Sequence, residues 1–164
     1  MTRTVTIGGF MGVGKTTVGR LLASRLGVPF VDLDSAIESS YGCTVEQIFS
    51  RDGEAVFRDR ECSVLTRILE GPASVIALGG GTLHQEGNAD LVTKRSNLFV
   101  LWADLSVLKA RLGAADESRP LWTKAEELFA EREAGYRSVG TVLDTGNMSA
   151  VQIVDQMMEV IECG

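Results

Sequence analysis

Nine residues near the start of the chain restrict its fold more than any others. Gly9-Phe10-Met11-Gly12-Val13-Gly14-Lys15-Thr16-Thr17 follows an apolar run from Thr4 to Gly8, and it leads into a segment where Val18, Leu21, Leu22 and Leu26 recur at helical spacing. The run reads as a β-strand, and Thr16 to Leu26 as a helix with one apolar stripe ending at Gly27. A strand, the pattern G-x-x-x-x-G-K-(S/T) and a helix in direct succession make a phosphate-binding loop. The glycines let successive amides turn inward around an anion, and the helix N-terminus adds partial positive charge. Gly12, Val13, Gly14, Lys15, Thr16 and Thr17 are the expected nucleotide-binding residues. Lys15 would reach the terminal phosphates, and the Thr16 hydroxyl would serve as a magnesium ligand.

The remaining chain continues the alternation. Val28 to Asp32 reads as a second strand. Ser35 to Glu38 and Thr44 to Gln47 both match the capping-box pattern, predicting two short helices that stop near Tyr41 and Gly53. A longer helix is expected from Glu54 to Glu70. Ser74 to Leu78 and Asn97 to Ala103 are nearly continuous apolar runs, the form of parallel strands covered on both faces. Helices are expected at Ser106 to Leu112, Lys124 to Ser138 and Ser149 to Cys163, with a last strand at Thr141 to Leu143. Strands alternating with helices predict a parallel α/β sheet whose ligands gather at the carboxyl ends of the strands.

With 164 residues the chain is expected to form one domain. Lys plus Arg number 16 against 22 Asp plus Glu, a net charge of −6, which argues against nonspecific binding to nucleic acid or an anionic membrane. Any anionic ligand must be captured by local geometry. Three cysteines without C-x-x-C spacing support neither a disulfide framework nor a structural zinc site. No stretch has the form of a signal peptide or a bilayer span. A soluble, cytoplasmic protein is expected, with a monomer favoured.

Several residues extend the site beyond the phosphate loop. Asp32 and Asp34 close the second strand; two apart in extended chain, both would face the crevice, Asp32 holding magnesium and Asp34 meeting a second substrate. Arg58 lies in the charged first turns of the long helix, with Glu61 three residues on to orient it. Gly79-Gly80-Gly81 ends the third strand and admits a ligand against bare amides. Gly113 to Thr123, containing Arg119-Pro120, is the expected lid. His84, the only histidine, reads as a polar loop residue; Trp102 reads as core, and Met148, Met157 and Met158 as fillers of core gaps.

Together the phosphate loop, the Asp32-Leu33-Asp34 pair, Gly53-Glu54 through Phe57-Arg58, the triple glycine, Arg119-Pro120-Leu121 and Arg132 four residues before Tyr136 resemble shikimate kinases. The resemblance runs in order over essentially the whole chain. It implies a P-loop NTPase three-layer sandwich of the nucleoside-monophosphate-kinase type, with five parallel strands ordered 2-3-1-4-5. It also implies transfer of the γ-phosphoryl of ATP to the 3-hydroxyl of shikimate, with Mg2+ on Thr16 as cofactor. By position, Asp34, Arg58, Gly80 and Arg132 would bind shikimate, with Gly79 and Gly81 shaping the pocket. Arg58 and Arg132 would clamp the carboxylate, and Phe49 and Phe57 would form apolar walls. Asp34 would be the general base, and Lys15 and Arg119 would neutralise charge on the transferring phosphoryl. The substrate-binding segment would span about 32–61 and the lid about 113–123. Two features depart from the family pattern. Only twelve residues separate Arg119 from Arg132, with Arg137 as the alternative to Arg132. Asp144-Thr145-Gly146-Asn147-Met148 lacks the usual basic residue, so Arg111 is expected to stack on adenine. Competing readings are another small-metabolite kinase, such as a gluconate kinase, and a noncatalytic nucleotide-binding relative.

Overall fold

The computed structural model describes residues 3–112 and 121–163. Expectations that fall on residues 113–120, most of the lid and Arg119 among them, lie outside the described residues.

Five strands, β1 (Val5–Gly9), β2 (Phe30–Asp32), β3 (Val75–Ala77), β4 (Asn97–Trp102) and β5 (Thr141–Asp144), form one sheet in the order β2-β3-β1-β4-β5. Every pairing is parallel. Burial follows position in the sheet. β1, β3 and nearly all of β4 are buried, whereas β2 and β5, at the edges, are not. This is why the central strands are continuous apolar runs while β5 alternates.

Helices α1 (Lys15–Leu26), α2 (Leu33–Tyr41), α3 (Val45–Asp52), α4 (Glu54–Leu69), α5 (Asn88–Arg95), α6 (Leu105–Leu112), α7 (Leu121–Arg137) and α8 (Ala150–Cys163) cover the sheet. Helix α1 packs on α8 and on β1, β2 and β3; α4 meets α5; α5 and α7 meet β4. Ile7, Leu22, Leu33, Ile37, Leu65, Ile76, Val100 and Met157 are among the fully buried side chains. Trp102 is core, as expected, and so is Met157. None of the described helices is long and apolar enough to cross a membrane.

Three expectations need correction. The sequence reading had no element between β3 and β4 beyond the glycine run, but a short 3-10 turn at Thr82–His84 and helix α5 lie there. The single buried face of α5, through Val92, is too narrow to stand out from its polar surroundings. The Ser35 capping box does not form. Instead α2 starts at Leu33, capped by Asp32, whose carboxylate accepts the Ser35 backbone N–H at 3.0 Å. The Thr44–Gln47 box does form. The third correction follows from the second: Asp34 sits in the first turn of a helix, so the extended-chain argument placing it beside Asp32 fails.

Candidate active site

The phosphate loop lies between the end of β1 and α1, in the conformation its glycines permit. Gly14 caps α1 with φ of 103°, and Gly9 leaves β1 with φ of 139°. A side chain at Gly9 would also lie 2.5 Å from the Leu101 carbonyl oxygen, so both backbone angle and packing exclude one. Gly12, Gly14, Lys15, Thr16 and Thr17 line an open hollow of about 250 Å³. The Lys15 ammonium is turned inward, donating to the carbonyls of Gly9 at 2.6 Å and Phe10 at 3.2 Å. Burial lowers its pKa to about 8, an effect opposed by Asp34 and Asp32 and reinforced by Arg132. All four charged groups therefore act on one locus.

Near the loop, the three glycines after β3 leave a recess that a side chain would fill: a methyl group on Gly80 would lie 3.6 Å from Arg132 Nη1 and 3.9 Å from Met11 N. A methyl group on Gly79 would lie 3.2 Å from Asp34 Oδ1 and 3.3 Å from Glu61 Oε1, so two carboxyls from α2 and α4 flank its Cα. One on Gly81 would lie 2.6 Å from Arg58 Nη2. The guanidinium thus lies flat against backbone that no other residue could supply. Arg58 donates to Glu61 at 2.9 Å, the i,i+3 pairing expected from the sequence, and to Glu54 at 3.4 Å. Glu61 is fully buried and also accepts from the Thr82 hydroxyl at 2.6 Å. Both Glu61 oxygens are therefore bound, which fixes Arg58 against the glycine turn. Asp34 is an exposed residue, and its carboxyl is raised above 3.8, first by desolvation from the atoms packed around it and then by Asp32 and Glu61.

From the other side, Arg132 on α7 donates to the Gly80 carbonyl at 3.0 Å, and the Tyr136 hydroxyl donates to the same oxygen. Burial pushes the Tyr136 phenol up to about 12, so it remains a donor. Arg137 points elsewhere: it lies 4.5 Å over the Trp102 ring and 3.7 Å from Glu133. Of the two arginines considered from sequence, Arg132 is the one against the recess. Phe49 and Phe57 stack with centroids 4.5 Å apart, Phe57 buried in the core and Phe49 exposed. Arg111 bridges the phosphate loop and the segment after β5, donating to Val13 O at 3.3 Å and Thr145 O at 2.7 Å. That puts it beside Asp144-Thr145, where the adenine was expected.

Magnesium prefers hard oxygen donors and keeps several of its waters, so one or two protein oxygens suffice. The Thr16 hydroxyl, at the head of α1, and the Asp32 carboxylate, close enough to act on Lys15, are donors of that kind. One Asp32 oxygen is engaged by the Ser35 N–H, leaving the other for the ion or its water shell. Three roles escaped the sequence reading: that of Thr82, which holds Glu61; that of Tyr136, which holds Gly80; and that of His84. The histidine is packed edge-on to Tyr136, with ring centroids 4.7 Å apart, and is no mere polar loop residue. Only contacts between distant segments reveal these roles.

Comparisons with known proteins show what the chain as a whole is similar to. The shikimate kinase family model matches residues 11–162. A shikimate kinase from Ruegeria pomeroyi is 41% identical, over 97% of this chain and 85% of that protein. The solved structure of a shikimate kinase from Acinetobacter baumannii in complex with shikimate superposes with a TM-score of 0.89 at 32% identity, covering 99% of this chain and 94% of the other. A gluconokinase from Sinorhizobium meliloti superposes with a TM-score of 0.67 at 16% identity, covering 98% and 91%, which is a likeness of fold alone. On the extent of the family match and the identity of these relatives, the chain belongs to the shikimate kinase family.

Proposed function

We propose that this protein transfers the γ-phosphoryl group of ATP to the 3-hydroxyl of shikimate, giving shikimate 3-phosphate and ADP. The observation that carries this reading is the convergence of Arg58 from α4, Arg132 from α7 and Asp34 from α2 on the glycine turn beyond β3, facing Lys15. Two guanidiniums on one recess suit a carboxylate, since each planar fork can bind both oxygens. A carboxyl near them suits a ring hydroxyl. The phosphate loop suits the triphosphate.

The chemistry then divides among these groups. The amides of Gly12 to Thr17 hold the phosphates. Lys15 exchanges the carbonyls of Gly9 and Phe10 for phosphate oxygens, recovering charged partners in place of neutral ones. Arg58 and Arg132 hold the acceptor by its carboxylate, and Asp34 aims the 3-hydroxyl at the γ-phosphorus and takes its proton. Phosphoryl transfer involves a loose transition state, so alignment and charge neutralisation dominate. Arg119 adds charge neutralisation at the transferring group. Thr16 and Asp32 would hold Mg2+, which would offset the negative charge of the phosphates. Arg111 faces the adenine.

We assign residues 1–164 to one kinase domain, with the acceptor-binding segment near 32–61 and the lid near 113–123, acting as a cytoplasmic monomer without nucleic-acid or membrane partners. The three cysteines, all free and two of them exposed, fit a reducing compartment. The test is coupled ADP release by purified protein with ATP and Mg2+, comparing shikimate, gluconate and no acceptor. Stimulation by shikimate alone is expected. Equal stimulation by gluconate would overturn the choice of acceptor, and no stimulation by either would favour a noncatalytic relative.

A further inference from the structure

Arg132 reaches the recess only if α7 stands at the right distance from the glycine turn, and the His84 ring packs between the two. His84 closes the 3-10 turn that follows Gly79-Gly80-Gly81, and its own backbone N–H returns to the Gly81 carbonyl at 3.2 Å. The imidazole rests on the bare Cα of Gly135 in α7. A methyl group there would lie 2.7 Å from His84 Cε1 and 3.0 Å from Nδ1. One residue further on, the Tyr136 ring meets the imidazole edge to face at 80°. Gly135 and Tyr136 lie three and four residues beyond Arg132, so the ring contacts the helical turn just after it. Tyr136 is buried, and it and Arg132 both bond the Gly80 carbonyl. The ring is thus a spacer between the turn that floors the recess and the helix that supplies one of its arginines.

Chemistry favours the ring over its hydrogen bonding. His84 Nε2 is buried with no hydrogen-bond partner among the described residues, so nothing is gained there by nitrogen. Burial, followed by Arg132 and then Arg58, holds the imidazole below its ordinary pKa, which keeps a third positive charge away from the two guanidiniums. We propose that His84 is a positioning residue for the acceptor site: seated on Gly135 and against Tyr136, it sets the reach of Arg132 toward the substrate carboxylate. The inference rests on the shikimate reading given above.

The test compares steady-state kinetics of wild type, His84→Ala and His84→Phe with shikimate and ATP varied separately. In His84→Ala the KM for shikimate is expected to rise about tenfold, the equivalent of one weakened charged hydrogen bond, with kcat and the KM for ATP nearly unchanged. His84→Phe should recover most of the loss, since an aromatic ring refills the space and no hydrogen bond at Nε2 is missed. Gly135→Ala, which drives a methyl group into the imidazole, should raise the same KM. An unchanged shikimate KM in His84→Ala overturns the proposal, as does a loss that His84→Phe fails to recover. If His84→Ala does not fold, the other two variants decide the question by the same criteria. Wild type that ignores shikimate would overturn the shikimate reading and this proposal with it, whereas active wild type beside an unaffected variant overturns the proposal alone.

Discussion

Removing Arg58 should damage both substrate binding and the fold, and the two losses can be separated. Its side chain is 16% exposed, and that of its partner Glu61 is 1% exposed. In Arg58→Ala the Glu61 carboxylate keeps only the Thr82 hydroxyl and becomes a buried charge without a counter-ion. Breaking a buried pair by deleting one partner costs about 3–5 kcal/mol. At about 2–4 °C per kcal/mol for a domain of this size, the melting temperature should fall by roughly 6–20 °C. Arg58→Ala/Glu61→Gln removes the stranded charge while keeping an acceptor for Thr82, so it should regain most of the lost stability. It should not regain shikimate affinity, because the guanidinium is still absent. Thermal unfolding by circular dichroism and coupled kinetics on the single and double variants measure the two effects. A melting temperature in Arg58→Ala within about 2 °C of wild type would mean that Glu61 does not depend on Arg58, and the reasoning about the buried pair would be wrong.

Nucleotide binding should be sensitive to alkali, because a Lys15 with a pKa near 8 in the free protein must be charged to hold phosphates. Titration with an ATP analogue should show affinity falling as pH rises through about 8, approaching tenfold per unit above it, and a flat profile to pH 9.5 would contradict this. Asp34, raised above 3.8, must lose its proton to act as a base, so kcat should decline as pH falls through its elevated pKa. Asp34→Asn should lower kcat by about 10²- to 10⁴-fold and abolish that acid limb, while binding of the nucleotide analogue persists. In Gly81→Ala the new methyl group lies 2.6 Å from Arg58 Nη2 and pushes the guanidinium off the turn, so shikimate KM should rise roughly tenfold, with a fall in melting temperature no larger than that of Arg58→Ala. A larger loss of stability than in Arg58→Ala would show that the turn itself, rather than Arg58 alone, had been displaced.

Much of this was legible in the sequence because it is local. The phosphate loop announces itself by strand, glycines and helix in succession. The Thr44–Gln47 capping box and the Arg58–Glu61 pair each lie within one helical turn, and both form. Legibility ended where distant segments meet. Glu61 and Thr82 are 21 residues apart, Gly80 and Tyr136 are 56, and no spacing rule reaches across such gaps. Asp32 illustrates a different failure. Its short side chain can serve a helix N-terminus as well as a cation; β2 does end at Asp32, but the extended chain was read on to Asp34, where the backbone has already turned into α2. Helix α5 was missed because its burial rests on so few residues.

The account depends on an acceptor held by Arg58 and Arg132 in line with a triphosphate on the Lys15 loop. The most direct measurement is a crystal structure of the protein with shikimate, Mg2+ and a nonhydrolysable ATP analogue. The predicted result has the shikimate carboxylate within hydrogen-bonding distance of both arginines, and its 3-hydroxyl between Asp34 and the γ-phosphorus. Shikimate bound away from the glycine turn, with Asp34 and Arg58 remote from the γ-phosphorus, would contradict it.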